Sequence, residues 1–395
     1  RTTTFFENPL ATNNDLLISL GTACKILVYH VKMLLFPAPL RFYYGYNMFP
    51  VNSITNPVAL ISFILHASLL IYGAIRFYKK DSLGLIILSY FIAIALYSNF
   101  PFPYTSMFSE RALFLSSLWF IVIIGVVAVR LWNKYNDRLQ TTLIKNSVAF
   151  LLVTALAMYS FMTISRNFLW KNNLTLMEHD IEHLGNCVLA NCMYANNLKF
   201  ESKRALNAND TTNGFYLANQ ALYYYQQSID LYPTFPEFFF RKANTYRYNL
   251  NNLDSAKVNY GYAISIDTLY ADAYFELSKI YFDKQDFRRS YYYFGKTYAL
   301  QPKDSLTLFY YAQSASNIGE MSTCYKINQE FLKLYPDLQY PYLNLGTYYS
   351  KILKDDSAVI YLDKAVELGA RNPQLLQQLS VYYQKKNNTI KQDYY

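Results

Sequence analysis

The sequence predicts an all-α protein, a polytopic bundle of transmembrane helices followed by a solenoid of helical hairpins. Three observations predict it: apolar runs of spanning length in the first half, a near-constant internal period in the second, and a composition poor in charge. Of 395 residues, 53% are hydrophobic and 18% aromatic, while 16% are charged, below the roughly 25% of ordinary soluble domains. The net charge of +9 is uneven: residues 1–166 hold 13 Lys/Arg against 5 Asp/Glu, and residues 167–395 hold 23 against 22. Cations scattered between apolar runs do not form the basic face that nucleic acid requires, so no nucleic-acid partner is expected. The four cysteines, at 24, 187, 192 and 324, have no paired spacing and predict no disulfide framework.

Residues 1–56 read as an external loop with an amphipathic or membrane helix. Its segment Asp15–Phe36 is apolar but carries Lys25, His30 and Lys32. It either spans, placing residues 1–14 in the cytoplasm, or lies flat, leaving them on the same side as the loop 37–56. Residues 57–166 read as four transmembrane helices, over 57–78, 83–98, 111–132 and 146–164, because about 20 apolar residues are needed to cross hydrocarbon. Arg76, Lys79 and Lys80 after the first run, and Arg130, Lys134, Arg138 and Lys145 around the link between the third and fourth, mark cytoplasmic loops. The loop 99–109 and everything after Arg166 then lie on the opposite side. Residues 167–213 form a linker and long helix.

From 214 to 395 the chain repeats itself. Small residues Ala221, Ala256, Ser290, Cys324 and Ala358 are spaced by 35, 34, 34 and 34, the tetratricopeptide period. Twelve residues beyond each stand Pro233, Thr268, Pro302, Pro336 and Ala370, where one helix must stop. Four helix-turn-helix units are predicted from about 235 to 370, with a leading helix 214–231 and a capping helix 373–386. In other tetratricopeptide arrays the first helix of each unit lines a concave groove. On that assumption Phe240, Phe275, Phe309 and Leu343 share one groove position, and Asn244, Lys279, Gln313 and Thr347 share another. Apolar rungs with polar neighbours suit an extended or helical polypeptide partner, although the same aromatic residues could instead pack between helices.

Three features could carry chemistry. His179-Asp-Ile-Glu-His183 matches an H-x-x-E-H metal arrangement, and Cys187 continues the spacing of four. The stretch is nevertheless read as a solvated helix start, and no metal is expected there. The pairs Asp254-Ser255, Asp304-Ser305 and Asp356-Ser357 each stand where a helix begins and read as caps. Glu110 and Arg111 open the third apolar run, at a depth where charge is costly. The Arg fork fits a phosphate, and an anchoring ion pair between the two is the alternative.

Several short motifs, in order, resemble one family. Asn8-Pro-Leu-Ala11, then Leu34-Leu-Phe-Pro-Ala-Pro-Leu40 and Tyr44-Gly-Tyr-Asn-Met-Phe-Pro50, resemble the signature loop of membrane O-mannosyltransferase-like proteins with C-terminal tetratricopeptide repeats. Ser109-Glu-Arg-Ala-Leu-Phe-Leu115 is similar to their E-R-x-L-Y-L element, and Trp170, Leu174 and Leu176 to the link before their repeats. Tyr43 stands where that loop usually has Asp, and Ser116 where the second element usually continues with Pro. The resemblance implies a C-type glycosyltransferase that moves a sugar from a polyprenyl-phosphate donor to hydroxyls of exported proteins, with membrane lipid and an acceptor polypeptide as partners. No cofactor is required beyond that lipid-linked sugar phosphate. The catalytic acid of such proteins would fall upstream of Arg1, so this chain reads as a C-terminal portion. Glu110 and Arg111 are then the catalytic candidates, and Arg41, Tyr43 and Tyr44 join them in binding the donor. The alternative is a non-catalytic, membrane-anchored scaffold for assembly of exported proteins. Either way the expected setting is a bacterial inner membrane with periplasmic repeats, or else an endoplasmic reticulum membrane with luminal ones.

Overall fold

The computed structural model describes residues 5, 7–100, 102–104, 106–139, 142–386 and 388–394; the side chains of Arg138 and Lys145 lie outside the described ones. Every regular element among them is helical, and the chain divides into two compact units, Arg1–Pro233 and Thr234–Tyr395. The leading repeat helix therefore groups with the first unit.

That unit begins with α1 (Leu16–Leu35), capped by Asp15, whose carboxylate accepts the amides of Leu17 and Ile18. Then come α2 (Pro57–Tyr78), α3 (Ser82–Ala95), α4 (Leu113–Leu139) and α5 (Thr142–Leu169). The segments Leu16–Leu35, Pro57–Tyr78, Glu110–Lys134 and Asn146–Leu169 are long and apolar enough to cross a membrane; α3, at 14 residues, is shorter than the run 83–98 suggested. Helix α1 packs against the loop and the helices that follow it. The Ile54 amide donates to the Leu17 carbonyl at 3.0 Å, Ser62 in the first turns of α2 bonds the Cys24 carbonyl, and Leu27 packs on Tyr90 and Ile94 at the far end of α3. The Leu35 carbonyl at the C-terminus of α1 accepts from Tyr159 well inside α5, whereas these other partners sit at one end of α2 and α3. The segment before α1 stays at that end: Asn8 donates to Asn99 at 2.6 Å and to the Tyr104 carbonyl at 2.9 Å.

At the opposite end α2 and α3 form a tight hairpin. Gly84 permits it, because a Cβ there would run into the backbone of Arg76 and Phe77. Asp81, in the turn, caps α3 through the Leu83 amide and takes Arg76 at 2.5 Å and both guanidinium nitrogens of Arg130 from α4. Hydrogen bonding to Arg130 holds the Asp81 carboxyl well below the usual carboxylate range. Two of the cations that marked cytoplasmic loops in the sequence thus meet on one acid. The unit ends with α6 (Asn173–Ile181), α7 (Val188–Asn207) and α8 (Thr211–Leu231), the last two packed as a hairpin.

The second unit contains α9 (Pro236–Tyr248), α10 (Leu253–Ile266), α11 (Ala271–Asp283), α12 (Phe287–Leu300), α13 (Ser305–Ile318), α14 (Met321–Leu334), α15 (Gln339–Lys351), α16 (Asp355–Glu367), α17 (Pro373–Lys385) and α18 (Thr389–Tyr394). Four hairpins, α9–α10 to α15–α16, realise the four tetratricopeptide units, and α17 packs on the last. The period has a plain cause: Ala221, Ala256, Ser290, Cys324 and Ala358 are all buried where helices meet. Gly346 serves the same end, since a Cβ there would strike Leu362 across the α15–α16 contact. Aromatic residues fill the remaining space; Tyr260, Phe294 and Phe331 are fully buried. Of the three Asp-Ser pairs only Asp304 caps its helix, through the Thr307 amide at 2.7 Å. Asn252 caps α10, and Asp356 instead bonds Tyr382 and Lys386 of the next helix.

Candidate functional site

The end of the first unit where α2 begins and α3 ends gathers most of the residues singled out from the sequence. After α1 the loop 36–56 folds back, and the Met107 amide, in the loop before α4, donates to the Tyr44 carbonyl at 3.1 Å. Tyr44 is buried among Tyr29, Phe49 and Phe108, with the Phe108 ring edge-on at 4.9 Å. Its hydroxyl donates to Glu110 Oε1 at 2.5 Å, and the backbone amide of Arg41 donates to the same oxygen at 2.6 Å. Burial, and then the negative charge of Glu110, push the Tyr44 phenol far above its ordinary range, so it stays a proton donor.

Glu110 is thereby committed to the loop and not to its neighbour. Arg111 points elsewhere: it is exposed, with its guanidinium carbon 5.9 Å above the ring of Trp170. The anchoring ion pair between Glu110 and Arg111 does not form. The guanidinium of Arg41 reaches only the Met48 sulfur, at 3.9 Å, and its Nε is buried without a hydrogen bond. Among the described residues neither Arg41 nor Arg111 is held in an ion pair. Tyr43 lies on the same loop, with its ring folded against Gly45.

Two residues that sequence reasoning missed complete this end. Arg166, in the last turn of α5, makes a two-pronged pair with Asp180 of α6 at 2.6 and 2.8 Å, and Asp180 is fully buried. Both charges act on Glu110. The available signal was a lone Arg ending an apolar run, 14 residues before an acid at a helix end.

The metal arrangement dissolves here. His179, His183 and Cys187 share a face only on a continuous helix, but α6 ends at Ile181 and a run of turns intervenes before α7. His179 bonds Asp180 at 2.9 Å, and Cys187 is buried at the N-cap of α7, where burial pushes its thiol up. No group of three metal-binding side chains occurs among the described residues. All four cysteines are buried.

In the second unit the two proposed groove positions differ in their partners more than in their burial. The apolar rungs pack inward: Phe240 on Tyr260 and Tyr270, Phe275 on Phe294 and Tyr310, Phe309 on Tyr310 and Tyr340, and Leu343 on the cluster around Leu362. They are half-buried, serving as packing as much as surface. Of the polar rungs, Asn244, Lys279 and Gln313 are likewise half-buried and Thr347 is exposed. Asn244 accepts from Tyr260 at 2.5 Å, Lys279 lies 5.4 Å from the Tyr310 ring, Gln313 reaches Asn344 at 3.4 Å, and Thr347 bonds its own helix. Gln313 and Thr347 also line a cavity of about 250 Å³ between α13 and α15.

No family model matches the chain, and no curated protein matches it. Solved structures do resemble it, over about half its length. PilF of Pseudomonas aeruginosa is 12% identical, covering 50% of this chain and 87% of its own at a TM-score of 0.41. MamA of Desulfovibrio magneticus RS-1 is 14% identical, covering 44% and 94% at 0.37. YrrB, described as a TPR protein with an unusual peptide-binding site, is 16% identical, covering 51% and 96% at 0.42.

Proposed function

We propose that this chain is a membrane-embedded tetratricopeptide protein that holds a polypeptide in the groove of its repeats and a lipid-linked phosphate at the end of its apolar helices. In this reading α2 to α5 cross the bilayer, α1 lies along the interface, and the repeats stand on the non-cytoplasmic side, in the periplasm of a bacterium or the lumen of the endoplasmic reticulum. The finer reading is that the chain is the C-terminal part of a glycosyltransferase, moving a sugar from a polyprenyl phosphate to hydroxyls of an exported protein. The observation that carries it is Arg111: an exposed guanidinium over Trp170, at the level where an apolar run begins, without an acidic partner among the described residues. A planar fork there suits a phosphate, and in glycosyl transfer its charge offsets that of the departing phosphate. Arg41 is a second cation of the same end.

Glu110, the acid of the E-R element, is engaged by Tyr44 and the Arg41 amide; it braces the loop and is not disposed to remove a proton. We therefore assign Glu110 and Tyr44 to positioning, and Arg41 and Arg111 to phosphate binding. The test is binding of the chain to vesicles containing undecaprenyl phosphate, beside transfer of radiolabelled mannose from polyprenyl-phosphate mannose to an exported acceptor. Binding that falls about tenfold in Arg111→Ala supports the phosphate site. Wild-type binding equal to that of vesicles lacking the phosphate lipid overturns it. Transfer separates the enzyme from the scaffold.

A further inference from the structure

The cavity between α13 and α15 departs from the rest of the groove in its chemistry. It is lined by Gln313, Ser316 and Asn317 of α13 and by Asn344, Thr347 and Lys351 of α15, with Ala312 and Cys324 at its back. No carboxylate lines it. Across the 14 residues of α13 and the 13 of α15 the one charged side chain is Lys351. The groove wall elsewhere differs: α9 carries Glu237, Arg241, Lys242 and Arg247, and α11 carries Asp272, Glu276, Lys279 and Asp283. A lone cation therefore stands at the mouth of an otherwise uncharged, polar recess.

Its present partners are weak. The ammonium of Lys351 is 3.0 Å from the Ser316 carbonyl and 3.4 Å from Asn317 Oδ1, both uncharged acceptors. Gln313 reaches Asn344, and Asn344 reaches the Phe309 carbonyl, each at 3.4 Å, the long limit of a hydrogen bond. The Ser316 hydroxyl is buried and makes no hydrogen bond to nitrogen or oxygen. An ammonium and three amide groups thus line one recess, and no carboxylate among its described lining residues supplies an acceptor of full charge. Ammonium-to-carboxylate bonds are roughly twice as strong as neutral ones.

We infer that this recess reads an acidic side chain, Asp or Glu, of the polypeptide lying in the groove, with Lys351 pairing its carboxylate and Gln313, Asn317 and Asn344 bonding its remaining lone pairs. The inference rests on the groove reading and sharpens it, from polypeptide in general to polypeptide carrying a carboxylate at one register position.

The experiment uses the full chain in detergent and three fluorescent hexapeptides: one blocked at both ends with Glu at its centre, the same with Gln, and the Gln peptide with a free C-terminal carboxylate. The Glu peptide is expected to bind about tenfold tighter than the blocked Gln peptide. The advantage should disappear in Lys351→Met, survive in Lys354→Gln outside the recess, and shrink as salt rises. Circular dichroism of Lys351→Met checks that the repeats remain folded. Equal binding of the two blocked peptides overturns the inference and leaves the groove reading standing. A gain seen only with the free C-terminus overturns the assignment to a side chain. Failure of all three to bind overturns the groove reading and this inference with it.

Discussion

Helix α5 and helix α14 have the same backbone and opposite relations to their surroundings. Along α5, Phe150, Leu156, Phe161 and Phe168 are each about two-thirds or more exposed, and the apolar window of this helix has no buried residue. In α14, Phe331 and Cys324 are buried to 1% exposure or less, while its other faces carry Lys326, Glu330 and Lys333. One helix directs its largest apolar side chains outward and the other directs them inward. The contrast teaches that α14 is stabilised by packing against its own chain, whereas the apolar side chains of α5 gain little from packing on the rest of the chain.

The same truncation in the two helices should therefore have very different results. Phe331→Ala is expected to cost about 3–5 kcal/mol through lost burial and the cavity left behind, while Phe161→Ala should cost less than about 0.5 kcal/mol. Denaturant unfolding in detergent, followed by circular dichroism, measures both; equal losses would break the comparison. The converse is Leu156→Asp, near the middle of α5, expected to weaken membrane insertion by about 2.5–3.5 kcal/mol. Tyr262→Asp on the open face of α10 should stay within about 0.5 kcal/mol. A translocon insertion assay on the α5 segment, and unfolding of the Tyr262 variant, check the two values.

Charge sharpens the contrast further. Arg247 of α9 is almost buried and bonds Glu276 at 2.5 Å and Asp283 at 3.3 Å on α11, tying one repeat to the next. Arg247→Met should lower stability by about 2 kcal/mol. That is less than the roughly 3–5 kcal/mol of a fully buried pair, because Asp283 is half exposed. Asp81→Asn, at the α2–α3 turn, should give the smallest fall in unfolding midpoint of the series. In the wild type the Asp81 contribution is fully present at neutral pH and is lost only as pH falls below about 4, because its folded-state pKa is depressed. A midpoint that falls between pH 7 and 5 only in the wild type would contradict this assignment.

The repeats were legible because their constraint is local and recurrent: a small residue every 34 or 35 positions marks each helix contact, and each proved buried. The apolar runs were legible by length, α3 least so, since its run continues in sequence past the point where the chain turns at Leu96 to Asn99. For α1 the polar residues left two readings open. His30 is buried because its ring bonds the Ile26 carbonyl within the same helix, at 2.9 Å, and Lys32 lies 5.2 Å from the Tyr29 ring. Neither cue can be weighed without knowing which loops α1 touches. The site was legible as a set of residues and not as a set of bonds. Glu110 stands beside Arg111 in sequence, yet its partners lie 66 and 69 residues away, and only the fold of the loop brings them together. His183 and Cys187 failed for the opposite reason, a helix assumed to continue where it stops.

The pair between Arg166 and Asp180 also has a mechanical side. Successive residues of an α-helix are 100° apart around its axis, so a turn of α5 by even one position would swing Arg166 away from a carboxylate that has no exposure with which to follow it. The pair acts as a key in a slot: α5 cannot twist about its axis without dragging α6 along, and torque on either helix is felt by the other.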